Sequence, residues 1–257
     1  MAALIATLAV SQTASAALVT LTGTNFDVQF DNTQLSLGVF GTPSLTSGNI
    51  VFSGNNFFAQ STNGQGTTTN GADFVLFLVP HQNTQVTGLS LFAFGDYRLQ
   101  GDNSYVKVSG SLAADDAGSS DPARSTIRAL NVTSPSTVNG EIQTPQNNQN
   151  SNWQAYAGVM SGSSPWLETT GSVRITISSL LTAYTDPNDP NPSPGFAFIQ
   201  EKLFVQQPAV TLTVSSDPMV VPLPATLPLL AGGISTLCWF GRRARRARDG
   251  FATGSFA

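Results

Sequence analysis

The feature that most constrains this chain is a two-residue alternation of apolar and polar side chains, recurring in short runs broken by Gly, Asn, Asp, Ser and Pro. Phe26-Asp27-Val28-Gln29-Phe30 and Val173-Arg174-Ile175-Thr176-Ile177 show it cleanly. Successive side chains of a strand point to opposite faces, so such a run buries one face and wets the other, as in an antiparallel sheet. Further β-branched or aromatic runs lie at Leu18 to Leu21, Leu35 to Phe40, Ile50 to Ser53, Leu89 to Phe94, Tyr105 to Leu112, Val173 to Leu181, Phe196 to Val205 and Val210 to Val214. Phe74 to Val79 is continuously apolar and predicts a central strand covered on both faces. No run has the length and period of a crossover helix. The pattern predicts a mainly β domain over 17–217, an antiparallel β-sandwich compatible with a jelly-roll-like arrangement. No internal repeat points to a propeller or solenoid.

Three polar stretches punctuate the pattern. Gln60 to Gly71 and Pro135 to Asn152 read as exposed loops, the first of them mobile, and Asp186 to Gly195, with four prolines, reads as a stiff extended loop.

Only 10% of the residues are charged, and the formal net charge is -4. Five of the eleven basic residues (Arg242, Arg243, Arg245, Arg246 and Arg248) fall in one short window. The remaining Arg98, Lys107, Arg124, Arg128, Arg174 and Lys202 are too few and scattered to follow a phosphate backbone, so no nucleic-acid partner is expected. Cys238 is the one cysteine, so no intrachain disulfide and no cysteine-based metal cluster can form.

The chain ends carry the other strong signals. Leu4 to Val10 form a short apolar run, and Ala14-Ser15-Ala16 has the small residues that signal peptidase requires. Cleavage after Ala16 would leave Ala17 as the mature N-terminus, making 1–16 a signal peptide, although no Lys or Arg precedes the apolar run. At the other end, Val220 to Gly241 contains no ionisable residue but Cys238, which reads as a small hydrophobe facing lipid. As a helix, these residues would rise about 33 Å, matching a ~30 Å hydrocarbon core. The Arg cluster that follows would stay cytoplasmic and place everything before the span outside. Pro222 and Pro224 keep Val221 to Ala225 extended, so the helix is expected over about 226–241. On physics alone, this segment is equally a recognition peptide or a proline-stiffened linker.

Val221-Pro222-Leu223-Pro224-Ala225, the apolar segment and the Arg cluster, in that order, resemble the PEP-CTERM sorting signal in its Val-Pro-Leu-Pro-Ala variant. The resemblance covers 219–248, with 249–257 as a trailing tail. It implies a Gram-negative bacterium, transient anchoring in the inner membrane with the domain in the periplasm, cleavage near the motif by an exosortase, and delivery to the cell surface or exopolysaccharide matrix. The sequon Asn131-Val132-Thr133 then reads as a chance match.

Chemistry in the body is sparse. His81 is the one histidine, so a site with two imidazole ligands is impossible, and no Gly-x-Ser-x-Gly elbow accompanies it. Asp115 and Asp116 sit in what reads as a solvated loop, while Glu141 and Glu168 are isolated, so no carboxylate pair for glycoside hydrolysis is selected. Calcium is the more plausible ion, through Asp186, Asn188, Asp189 and Asn191, or through Asp115, Asp116 and Asp121, yet neither set matches an EF-hand loop. Trp153, Tyr156 and Trp166 cluster in one segment; they either stack on sugar rings or pack the core. The expectation is a non-enzymatic structural or adhesive surface protein without a cofactor. The alternatives are a carbohydrate- or calcium-binding module and an extracellular glycosidase.

Overall fold

The computed structural model describes residues 17–54, 57–188, 195–201 and 210–218. The segments expected to be a signal peptide (1–16), a sorting motif (Val221 to Ala225) and a membrane span (226–241), and the Arg cluster Arg242 to Arg248, lie outside the described residues. Among those described, no helix is long and apolar enough to cross a membrane.

The described chain is mainly antiparallel β, consistent with a β-sandwich. Fourteen strands follow in order: β1 (Leu18–Thr22), β2 (Phe26–Asp31), β3 (Ser44–Thr46), β4 (Asn49–Phe52), β5 (Phe58–Thr62), β6 (Gly66–Pro80), β7 (Thr84–Gln100), β8 (Tyr105–Asp116), β9 (Ser125–Ala129), β10 (Asn131–Ser134), β11 (Ser151–Met160), β12 (Val173–Thr185), β13 (Phe196–Glu201) and β14 (Val210–Pro218). One sheet has the order β1-β2-β6-β12-β8-β9 and the other β10-β11-β7-β14-β4-β3, with β13 pairing β7 and β5. Along β7 the chain leaves with Glu201 opposite Gly95 and returns with Val210 opposite Ala93, so β13 and β14 occupy one interrupted track.

The core lies between the sheets and follows the alternation. In β2, Phe26, Val28 and Phe30 are buried with Asp27 and Gln29 turned outward, and in β12 Val173, Ile175, Ile177, Leu181 and Ala183 are buried with Arg174, Thr176 and Ser178 turned outward, while Ser179 is buried and Leu180 exposed. Phe74 of the first sheet meets Phe52 of the second edge to face at 5.1 Å, and Phe40 touches Phe52, Phe57 and Phe74 at 5.9–6.1 Å. Phe74 to Val79 alternates in burial rather than being covered on both faces, because its outer side chains are only partly shielded.

Three expectations fail for local reasons. Leu35 to Phe40 is not a strand but contains the short helix α1 (Leu37–Phe40), which delivers Phe40 to the aromatic core. Gln60 to Gly71 is not a mobile loop; it holds the end of β5, a tight turn and the start of β6. Its threonines are β-branched and pair with Thr182 to Tyr184 of β12, and the buried Ser61 hydroxyl bonds the Gly66 carbonyl and the Thr185 hydroxyl, both at 2.7 Å. The start of β6 carries polar or small side chains on both faces, none of them fully buried, and the inner face of β5 is filled by Ala59 and Ser61, so the hydrophobic alternation is silent there. Asp115 and Asp116 end β8 instead of lying in a loop. β3, β9, β10 and β11 also form without having been expected; β11 was masked by Ala and Gly at its alternating positions.

Candidate functional site

Trp153, Tyr156 and Trp166 do not converge. Residues three apart on a strand point to opposite faces, and on β11 Trp153 turns into the core while Tyr156 turns out. Trp153 is fully buried over Gly95, its register partner on β7, and donates its indole N–H to the Gln200 carbonyl at 3.1 Å. Trp166 is buried in a short 3-10 turn, Pro165–Glu168. Neither indole face is open to a sugar. Tyr156 lies against Phe92 at 5.0 Å, on the outer surface of the second sheet.

The carboxylate candidates are held in structural roles. Asp116 is buried and accepts from Arg124 Nη1 at 2.6 Å, Thr170 Oγ1 at 2.7 Å and the Gly118 N–H at 3.0 Å. Burial pushes its pKa up, but the Thr170, Arg124 and Gly118 donors outweigh that and hold it below the usual value. Asp115 accepts from Ser125 Oγ at 2.5 Å, and Asp121 caps the 3-10 turn Pro122–Arg124 through the Ala123 N–H. Asp186 takes the Asn188 N–H on one oxygen and the Asn103 amide on the other. Asp189 and Asn191 lie outside the described residues. Among the described residues no three His, Cys, Asp or Glu side chains gather as a metal site.

His81 sits just beyond β6 with Nε2 2.9 Å from Asp27 Oδ1 and Nδ1 3.1 Å from the Thr24 carbonyl. The Asp27 hydrogen bond raises its pKa, against a smaller opposing effect of burial. Both ring nitrogens are therefore committed to tying the β6–β7 turn to the β1–β2 turn. Glu168 belongs to the 3-10 turn beside Trp166, and Asn131 bonds the Ala129 carbonyl.

Among the described residues a concave site lies elsewhere. At the far end of the long strands, a polar cleft of about 450 Å³ is lined by Asp102, Asn103, Ser104, Tyr105, Glu141, Gln143, Thr144, Gln146 and Tyr184. Tyr105 opens β8 and Tyr184 lies near the end of β12; they are register partners, with rings stacked at 4.8 Å and 22°. Both are half-buried. Burial is the main cause of the raised pKa of Tyr105, and the nearby Glu141 charge adds to it, so this phenol stays protonated at neutral pH.

The opposite wall comes from the polar stretch after Pro135, which is clipped down rather than loose. Ile142 exchanges both backbone hydrogen bonds with Val106 at 2.8 and 3.0 Å. Gln146 donates to the Ser104 and Gln143 carbonyls at 2.7 Å, the Tyr97 hydroxyl donates to the Thr144 carbonyl at 2.7 Å, and the Asn148 N–H reaches the Leu99 carbonyl. These contacts fix the wall before any ligand arrives. His81 is on the order of 40 Å away along β6, so it takes no part.

Sequence reading missed this cleft. Tyr105 and Tyr184 are far apart in the chain and carry no local motif; only the β8–β12 register joins them. Glu141 and the Gln143-Thr144 pair were visible, but only as members of a polar loop.

No family model matches the chain, and no curated protein matches it. Among solved structures, one titled "Structure of infectious bursal disease virus Gt strain" aligns over 88% of this chain and 62% of that one, under two thirds of its length, at 13% identity and a TM-score of 0.15. That score is too low to transfer fold or function.

Proposed function

We propose that the protein is an exported bacterial surface or exopolysaccharide-matrix protein, sorted through its C-terminal segment and displaying a non-enzymatic structural or adhesive sandwich. The observation that carries this reading is the order of Val221 to Ala225, the uncharged apolar segment and the Arg242 to Arg248 cluster. In this reading, 226–241 forms the spanning helix, signal peptidase cleaves after Ala16, and an exosortase-type enzyme cleaves near the proline motif. The mature protein leaves the inner membrane for the surface or matrix.

The body is compatible with that route. Its last described strand ends at Pro218, three residues before the motif, so cleavage there would leave the strands whole. Alternation of β5, β6, β7 and β8 between the two sheets supports a jelly-roll-like arrangement. The commitment of His81 and Asp116 to structural contacts supports a displayed module over a hydrolase.

Intact-mass measurement of the surface-associated protein tests the reading. Termination near Val221 to Ala225 is expected, and replacing Pro222 and Pro224 with Ala should leave the tail attached. Recovery of Arg242 to Ala257 in the surface fraction would defeat it.

A further inference from the structure

The cleft beside Tyr105 combines surfaces that individually suit many ligands and jointly suit few. Tyr105 and Tyr184 line it as a stacked pair, and the ring face that each does not turn to the other carries a negative quadrupole that attracts the slightly positive C–H groups of a ring. Its rim is made of amides, hydroxyls and two carboxylates, Asp102 and Glu141, which together offer both acceptors and donors. Among the described residues no Lys or Arg lines it, and Lys107 lies just outside against Gly140, so a phosphate or other anion in the cleft would meet two carboxylates directly. A purely apolar ligand would strip water from the amides and carboxylates without replacing their hydrogen bonds. A saccharide presents a C–H face and a girdle of hydroxyls at once. The volume of about 450 Å³ lies within the ordinary range of small-ligand sites.

We propose that this cleft binds an uncharged saccharide, with its ring against an outer face of the stacked Tyr105 and Tyr184 pair and Asp102, Asn103, Glu141 and Gln143 bonding its hydroxyls. Glu141 is partly engaged already, accepting from Gln143 Nε2 at 2.9 Å, which orients its carboxylate and leaves the remaining lone pairs for sugar hydroxyls. Asn103 is steadied from behind by its bond to Asp186. The sugar-binding aromatics are therefore tyrosines on the first sheet, whereas the tryptophans of the 151–168 segment serve the core. This inference is independent of the sorting reading: the tail can fail its mass test while the cleft still binds, and the reverse.

Isothermal titration of the full-length chain, in EDTA, with neutral hexamers of glucose, mannose, galactose and N-acetylglucosamine tests it, with oligogalacturonate as the anionic comparison. At least one neutral hexamer should bind, and oligogalacturonate should bind at least about tenfold more weakly. Tyr105→Ala and Glu141→Gln should each weaken the neutral ligand about tenfold, while Tyr105→Phe, which keeps the ring, should stay within about threefold. Glu141 lies on the surface wall, so its variant stays informative even where Tyr105→Ala loses its fold, as thermal melting would report. The proposal is overturned by no binding of any neutral hexamer, by binding that ignores both Tyr105→Ala and Glu141→Gln, or by binding that appears only when calcium replaces EDTA. Release of reducing ends that Glu141→Gln abolishes would also overturn it, in favour of a hydrolase.

Discussion

At the scale of single residues, the instructive case is Trp153. In sequence it is one of three neighbouring aromatics; in space its ring lies across Gly95 and its N–H reaches over β7 to Gln200 on β13. The glycine is required by that crossing, because a Cβ at Gly95 would come within 2.4 Å of the indole nitrogen and 2.0 Å of the Gln200 carbonyl oxygen. Gly95→Ala should therefore displace Trp153 and lower the melting temperature. Trp153→Ala should cost about 3–5 kcal/mol by emptying a fully buried volume. Urea denaturation measures both, and a loss below about 1 kcal/mol for Trp153→Ala would show that the ring is not a staple between strands. The identity of the aromatic was legible in the sequence, but its role was not, since the partner that decides its face is a glycine some sixty positions away.

At the scale of elements, alternation was legible wherever one face is dry. β2 and β12 lie where their patterns place them. The signal failed where both faces are wet, as at the start of β6, and where small residues fill the inner positions, as on β11. The β5–β6 corner, where the chain passes from the second sheet to the first, consequently depends on polar contacts that no hydrophobic pattern announces. Ser61 donates to the Gly66 carbonyl and shares a hydrogen bond with the buried Thr185 hydroxyl. Ser61→Ala strands both partners, and an unsatisfied buried group costs about 1–3 kcal/mol. Hydrogen exchange should quicken along Gly66 to Asn70 while the amides of Leu76 and Leu78 keep their protection; uniform quickening would show that this corner is not a separate unit of stability. The cleft was illegible for a related reason: a site assembled from a strand start, a strand end and a clipped loop has no spacing to read.

At the scale of the whole molecule, the two sheets enclose a carboxylic acid. Glu201 ends β13 in line with Gly95, is buried, and accepts a hydrogen bond from Ser179 of the opposite sheet at 3.0 Å. Burial raises its pKa to about 8, against the opposing pull of the Ser179 hydroxyl, so the folded protein holds this group neutral at pH 7. The unfolded chain ionises it near the ordinary value of 4.5, and between these two values the unfolded state binds fewer protons than the folded one. Stability is thus fully present below about pH 4.5 as far as Glu201 is concerned, and falls as pH rises towards 8, by a few kcal/mol in all. His81 has the same sign, since its raised pKa lends stability that is lost as pH climbs through that value. Asp116 has the opposite sign: its lowered pKa gives stability above the unfolded value that is lost as pH falls through the folded one. Between the two signs, Glu201 and His81 favour the fold on the acid side and Asp116 opposes acid, so through these groups alone the fold loses stability towards alkali and again at strongly acid pH. Glu201→Gln keeps the shape and the Ser179 contact while removing the ionisation, so it should raise the melting temperature at pH 8, change it little at pH 4.5, and flatten the profile between. A variant whose melting profile runs parallel to that of the parent chain across this range would show that the enclosed carboxyl is not what makes the fold sensitive to alkali.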